Sequence, residues 1–210
     1  MAGKTLPMFP LGTVLFPHAV LPLHLFEERY RLLAETCLRG DGRFGVVLIE
    51  RGFEVGGGDA RFAVGTVARI VEAARTPDGR FLLATVGTER LRVRKWLDDD
   101  PFPRAEIDLL DEQRVRDTAR ATELRASVQR LLSRVLAMSA ELGDRAAPVG
   151  AAELDDDPAR ASYEAAAMAP VGPLDSQRLL ELDDPMARLR ELETMLTDTA
   201  EILGLRLAGG

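Results

Sequence analysis

The alternation of apolar and polar residues changes character near residue 111. Before that point, short apolar runs rich in Val, Ile, Phe and Leu are separated by glycine and proline, which is typical of an antiparallel β domain. After it, apolar residues recur at three- and four-residue steps, which is typical of amphipathic helices. The chain is therefore predicted to belong to the α+β class, with a β domain at residues 1–112 and a helical subdomain at residues 113–210.

Five apolar runs in the β domain predict strands, at residues 44–49, 65–73, 81–86, 89–96 and 105–110. The tetrapeptide TPDG at residues 76–79 predicts a hairpin turn, because proline presets the first central position and glycine accepts a positive φ. One helix interrupts the strands, since Phe26, Tyr30, Leu33 and Cys37 are spaced to lie on one helix face. This spacing gives Cys37 an ordinary place in the core.

The helical subdomain opens with a long amphipathic helix that ends at Gly143. Its apolar stripe comprises Leu124, Val128, Leu131, Val135, Met138 and Leu142. Residues 144–157 show little regular pattern, and Asp157 and Pro158 then predict the cap and first position of a short helix that runs to about residue 168.

Two further helices are predicted near the end of the chain. Asp175 or Ser176 is expected to cap a helix at residues 177–182, and Asp184 is expected to cap a final helix. The apolar positions of the final helix are Leu189, Leu192, Leu196 and Leu203. The inner face of this small bundle is aliphatic, which predicts plain core packing rather than a chemical site.

Charge and composition narrow the classes of partner and compartment. A net charge of -7 and a pI near 5.0 disfavour nucleic acid and anionic membranes, because both repel a negative surface. The apolar stretch at residues 6–26 contains four prolines, which exclude the helix that a signal peptide or membrane span requires. A single cysteine excludes an internal disulfide. We therefore expect a cytoplasmic protein without membrane contact, and the oligomeric state stays open.

A series of short motifs runs through most of the chain. The opening block reads FPLG at residues 9–12, VLFP at 14–17, LPLHLFE at 21–27 and RY at 29–30. Later blocks read GTVARI at 65–70, DGR at 78–80, GTERL at 87–91, Gln177 with LLE at 179–181, and RL at 188–189. In their order and spacing these motifs resemble the N-terminal substrate-binding domain of the Lon protease family.

The resemblance implies a PUA-like antiparallel β-barrel with one inserted helix, followed by a C-terminal helical bundle. It also implies contact with an unfolded polypeptide substrate or a partner protein, without a cofactor. We therefore expect a free-standing, non-catalytic protein-recognition module, although a shared fold does not by itself fix an activity.

The residues that Lon-type catalysis requires are missing from the sequence. The phosphate-binding motif needs a lysine after glycine, but the only lysines are Lys4, near the terminus, and Lys95, in a charged strand. The two histidines, His18 and His24, have no serine in a nucleophile-elbow motif to activate. The aspartate runs at residues 98–100 and 155–157 lack the spacing of a calcium loop. No catalytic residue and no metal site are therefore predicted.

Two surfaces are candidates for contact with a partner. Phe16, His18 and Val20 lie in the proline-bracketed opening segment, and Phe53 lies beside a glycine-rich tip, so these residues are the predicted protein contacts. The alternative for Phe16 and Val20 is plain core packing, because the whole opening segment is apolar.

The second surface is a basic stripe. Strand alternation places Arg90, Arg92, Arg94 and Trp96 on one face. Arginines that meet phosphates and a tryptophan that stacks a base would suit RNA, so a PUA-like RNA-binding protein is the alternative function. A solvated charged face is the simpler interpretation, because three aspartates follow at once.

Overall fold

The structure is a computed structural model that describes residues 4–51, 60–143 and 153–209. Six strands and five helices lie within these residues, so the predicted α+β class is confirmed. The residues form two compact units, 1–111 and 112–210. We propose that the first unit is a β domain and the second a helical subdomain. The division of the chain near residue 111 supports this proposal. The predicted contact residue Phe53 and most of the irregular stretch at residues 144–157 lie outside the described residues.

The first unit contains all six strands and one helix. In chain order these are β1 (Lys4–Leu11), β2 (Val20–Leu25), α1 (Glu28–Arg39), β3 (Arg43–Arg51), β4 (Ala60–Arg75), β5 (Phe81–Trp96) and β6 (Arg104–Leu110). The predicted turn between β4 and β5 is confirmed, since Gly79 has a φ of 82° and its N–H donates to the Thr76 carbonyl at 2.9 Å. The runs at residues 81–86 and 89–96, predicted as two strands, are one continuous strand.

The strands pair in the order β2-β5-β4-β3-β1-β6, and β5 pairs with β6 as well. The first half of β5 pairs with β2 and its second half with β6, so the pairings from β5 through β4, β3, β1 and β6 close on themselves. Five of the six strand pairs in the described residues are antiparallel as predicted, and one, β1 with β3, is parallel, with Phe9 opposite Val46. The intervening segment contains α1, and parallel neighbours require a long crossover connection of this kind.

Helix α1 contributes one face to the core of the first unit. Tyr30, Leu33, Ala34 and Cys37 are buried, and the Phe9 and Tyr30 rings lie 4.4 Å apart. Phe26 was predicted on the same helix face, but it precedes the helix and is 55% exposed. The helix begins after Glu27, so the turn that would bring Phe26 onto the buried face is absent.

The helical unit contains α2 (Thr118–Glu141), α3 (Pro158–Met168), α4 (Pro173–Glu181) and α5 (Pro185–Gly209). The predicted caps Asp157 and Asp184 are confirmed, because their carboxylates accept from the N–H groups of Ala159 and Met186 at 3.1 and 3.0 Å. The predicted cap at Asp175 or Ser176 is wrong. Helix α4 begins earlier, at Pro173, where proline suits the first helical position.

The buried stripe of α2 differs in part from the predicted one. Val128 and Val135 are buried as expected, but Leu132 is fully buried where Leu131 was predicted. Both leucines are apolar neighbours, so only the packing of the other helices decides which of them faces inward.

The interior of the helical unit also contains an ionic cluster that the aliphatic pattern did not predict. Arg188 is 0% exposed, and its guanidinium donates to Glu112 at 3.0 Å and to Ser162 Oγ at 2.7 Å. The same group donates to the Leu179 carbonyl at 3.1 Å and lies 3.8 Å from the centre of the Tyr163 ring. A buried arginine therefore joins the segment before α2 to α3, α4 and α5.

Candidate functional site

The opening segment between β1 and β2 contains three of the predicted contact residues. His18 is exposed and has a φ of 67°, and Val20 is 68% exposed. Phe16 is only 3% exposed, so its prediction as a surface contact is wrong. The segment packs closely on β5 at Gly87. A Cβ added at Gly87 would lie 2.2 Å from the Phe16 carbonyl oxygen, so the absence of a side chain on Gly87 allows this contact.

An exposed apolar surface lies on β2 and the first half of β5. In the register of this pair Val20 faces Val86, Pro22 faces Ala84 and His24 faces Leu82. We call these six residues the β2–β5 outer face. Val20, Pro22, His24 and Leu82 are exposed, with Leu82 at 47%, and the other two are half-buried. The residues between them point the other way and are mostly buried, so this part of the sheet has one core side and one apolar outer side.

Phe26 extends the β2–β5 outer face beyond the end of β2. Its ring lies 6.4 Å from the His24 ring in an edge-to-face arrangement. On the side of β4, an open hollow of about 600 Å³ borders the face and is lined by Ala74, Leu82 and Ala84 together with Glu72. Large exposed apolar residues grouped in this way, rather than scattered singly, are typical of a contact surface.

Strand β2 also presents a backbone edge. Among the described residues β2 pairs only with β5. The Gly87 N–H donates to the Ala19 carbonyl at 2.9 Å, so Ala19 directs its backbone toward β5. Because successive residues alternate, Val20, Pro22 and His24 direct their N–H and C=O groups to the opposite, outer edge. Pro22 has no N–H, which leaves this edge with more acceptors than donors.

The predicted basic stripe on β5 is largely occupied by contacts within the first unit. Arg94 donates to Asp108 at 2.5 Å, and this hydrogen bond and charge raise the pKa of Arg94. Arg61 lies 4.5 Å over the Trp96 ring. Arg92 is exposed and lies opposite Asp108 across the β5–β6 pair.

Arg90 is buried, so it does not belong to an exposed basic stripe. It is 2% exposed, and so is enclosed together with its neighbour Leu91 at 0%. Because neighbouring side chains of a strand point to opposite faces, burial of both Arg90 and Leu91 means that β5 is covered on both faces here, and the Arg90 guanidinium donates to the Asp111 carbonyl at 3.5 Å.

The described residues show little that resembles a reaction centre. Within the described ranges, no group of three or more His, Cys, Asp or Glu side chains is arranged to hold a metal ion. Burial, with a smaller effect of Asp41, raises the pKa of the Cys37 thiol to about 12, which disfavours the nucleophilic thiolate. No helix in the described part of the chain is long and apolar enough to cross a membrane.

Comparison with known proteins adds to this geometry. Residues 5–198 match the family model of the ATP-dependent protease La (LON) substrate-binding domain. The chain belongs to this family. Among curated relatives of this family member, a Lon protease of Desulfovibrio desulfuricans is 31% identical over 203 residues, covering 94% of this chain and 22% of the relative. A Lon protease of Koribacter versatilis is 28% identical, covering 97% of this chain and 25% of the relative. The chain thus spans about a quarter of the length of these relatives.

Solved structures of Lon N-terminal domains share the fold. The Lon N-terminal domain protein from Xanthomonas campestris is 29% identical, with a TM-score of 0.64 over 90% of this chain and 96% of that one. The N-terminal domain of the Mycobacterium avium complex Lon protease has the same TM-score of 0.64 at 18% identity, which shows the fold alone. The resemblance inferred from the sequence motifs is therefore confirmed.

For this member of the Lon family, sequence reasoning named one residue of the β2–β5 outer face, Val20, as a contact, and the role of that face stays a proposal. Pro22, His24, Phe26 and Leu82 were not predicted as contacts. Period-two alternation at residues 20–25 was a signal for β2, but β5 as its partner depends on the strand order of the whole sheet.

Proposed function

We propose that this chain is a protein-recognition module that binds extended, apolar segments of unfolded polypeptides or of a partner protein at the β2–β5 outer face. The observation that carries the proposal is the exposed apolar surface beside the outer backbone edge of β2, which pairs with no strand among residues 4–51 and 60–143. Membership of the Lon substrate-binding family supports it. The module acts without catalysis and without a cofactor, in the cytoplasm.

The chemistry of the surface suits an extended peptide. A strand that docks on the outer edge of β2 gains main-chain hydrogen bonds, and its alternate side chains lie against Val20 and Leu82. Burying one Val or Leu side chain contributes about 1.5–3 kcal/mol, so two such contacts supply about 3–6 of the roughly 8 kcal/mol that a micromolar affinity requires. Pro22 removes one donor from the edge, which limits the ladder and makes side-chain contacts the larger contribution.

The RNA-binding alternative is not proposed. Of its four residues on β5, Arg94 is paired with Asp108, Arg61 covers Trp96 and Arg90 is enclosed. Among the described residues, Arg92 alone of the four is exposed without such a contact. A groove for nucleic acid needs guanidinium groups available to phosphates.

A matched pair of substitutions tests the proposed surface. Leu82 and Leu109 are strand leucines with nearly equal exposure, 47% and 45%, but Leu109 lies on β6, outside the β2–β5 outer face. Binding of a permanently unfolded probe, reduced and carboxymethylated α-lactalbumin, is measured by fluorescence anisotropy. Leu82→Asp is expected to weaken binding about tenfold or more, since it removes one apolar contact and places a charge beside apolar side chains.

Leu109→Asp is expected to leave the affinity within about twofold of the original chain, because the new charge lies on β6, outside the β2–β5 outer face. Equal losses in the two variants, or no binding by the unsubstituted chain, would show that the surface is wrongly placed. Circular dichroism spectra of both variants establish that each is folded. Incubation of the same probe with the pure chain, with and without ATP, tests the non-catalytic half of the proposal: no fragments are expected, and steady turnover would overturn it.

A further inference from the structure

A cleft in the helical unit is lined by several arginines. It has a volume of about 740 Å³ and lies where residues 113–117 approach the first turns of α2 and α5. Four guanidinium-bearing residues line it, namely Arg114, Arg116, Arg120 and Arg190. The apolar side chains of Val115 and Met186 line it too; Met186 is 7% exposed and Val115 is half-buried. The cleft therefore combines apolar and strongly cationic walls.

These four arginines differ from three others in the same unit that are paired. Arg125, Arg160 and Arg178 each form ion pairs with carboxylates at 2.7–3.3 Å. For the four cleft arginines, no ion pair or side-chain hydrogen bond is found among the described residues. All four are exposed, so each is available to a ligand.

The two carboxylates in the cleft are already engaged as helix caps. Asp117 accepts from the Arg120 N–H and Asp184 accepts from the Met186 N–H, both at 3.0 Å. They compensate part of the positive charge, and the cleft keeps a surplus of two positive charges, four arginines less two aspartates, in a chain of net charge -7. Grouping like charges is unfavourable on its own, because they repel one another, whereas an anionic ligand makes the grouping favourable.

We infer that this cleft binds an acidic segment of polypeptide in which carboxylates flank an apolar side chain. Guanidinium groups pair with carboxylates through two parallel hydrogen bonds, and the apolar wall at Val115 and Met186 receives the side chain between them. A free phosphate would leave that apolar wall unused, which is why the observations favour a peptide. The cleft is a second contact surface, independent of the β2–β5 outer face, and it selects for charge as well as for apolar character.

The test uses a short fluorescein-labelled peptide in which glutamates flank a pair of leucines, titrated with the full chain at low salt. The test variant combines Arg116→Glu with Arg190→Glu. The matched control combines Arg130→Glu with Arg134→Glu, because these two arginines of α2 are also exposed, lie outside the cleft and give the same change in net charge. Thermal melts establish that both variants are folded.

The cleft variant is expected to lose at least about tenfold in affinity, and the control to change by less than about threefold. Replacing the leucines of the peptide by serine is expected to weaken binding by about fivefold or more. Leu82→Asp is expected to leave this affinity unchanged, so failure here is distinguishable from failure of the β2–β5 outer face.

Three results would overturn the inference. Equal losses in the cleft variant and the control would mean that binding follows net charge alone. Equal affinity for the leucine and serine peptides, or displacement of the peptide by tripolyphosphate at a lower concentration than unlabelled peptide, would mean a simple anion site. Absence of binding by the unsubstituted chain would remove the site altogether.

Discussion

Replacement of Arg188 by methionine is expected to destabilise the helical unit strongly. The guanidinium group is fully buried, and it donates to Ser162, to Glu112 and to the carbonyls of Leu179 and Leu182. Methionine fills much of the same space but donates no hydrogen bond. The two carbonyls and the Glu112 carboxylate therefore lose a donor inside the protein.

The magnitude follows from these contacts. A buried acceptor that loses its donor costs about 1–3 kcal/mol, so two carbonyls alone account for about 2–6 kcal/mol. Removing one member of a buried ion pair costs about 3–5 kcal/mol, which agrees with this count. At a slope of roughly 2 kcal/mol per molar urea, a loss of about 4 kcal/mol lowers the unfolding midpoint by about 2 M.

The assay is urea unfolding of the full chain, followed by far-UV circular dichroism because the helical unit dominates that signal. Arg178→Met on α4 is the control, since Arg178 is exposed and its ion pair with Glu191 at 2.7 Å faces solvent. The control is expected to change the free energy of unfolding by less than about 1 kcal/mol. Arg188→Lys is expected to recover only part of the loss, because an ammonium group lacks the planar fork of donors. Equal midpoints for Arg188→Met and Arg178→Met would refute the reasoning.

Two further predictions concern glycines and the thiol. Gly87→Ala is expected to lower the free energy of unfolding by at least about 2 kcal/mol, because its Cβ would lie 2.2 Å from the Phe16 carbonyl oxygen. Gly204→Ala in α5 is expected to raise the free energy of unfolding by about 0.5–1 kcal/mol, because the new Cβ has an ordinary 3.6 Å contact with Met138. Thermal melts that rank the two variants alike would contradict the packing argument. Cys37, whose pKa burial raises from 9.0 to about 12, is expected to resist iodoacetamide at pH 9 until urea is added. The folded thiol keeps its proton at pH values where the unfolded thiol has lost it. The contribution of Cys37 to stability is therefore constant below about pH 9 and falls by about 1.4 kcal/mol per pH unit up to about pH 12. Rapid labelling of the native chain would show that Cys37 is accessible.

Local chemistry explains the features that could be predicted from the sequence. The turn at residues 76–79 and the caps Asp157 and Asp184 depend on side chains within a few positions of one another, so each could be identified without the fold. The start of α4 at Pro173 could be missed because two cap motifs compete within a few residues, and only packing selects between them.

The candidate surfaces depend on longer-range pairing. His24 and Leu82 are 58 residues apart in the chain, and the register of β2 against β5 places them side by side. The arginine cleft likewise joins residues 113–117 to Arg190. Neither grouping leaves a periodic signal in the sequence, because each depends on which elements become neighbours.

The sequence by itself determined the α+β class, the position of most elements, the caps Asp157 and Asp184 and the family of this chain, because these follow from short-range periodicity, turn chemistry and linear motifs. Tertiary structure alone decided that Phe16 is buried while Val20 is exposed, that Arg90 leaves the basic stripe, and that Arg188 lies inside the bundle. The physical reason is the same in each case. Burial depends on which elements pack against a residue, and the type of a side chain does not show which elements those are.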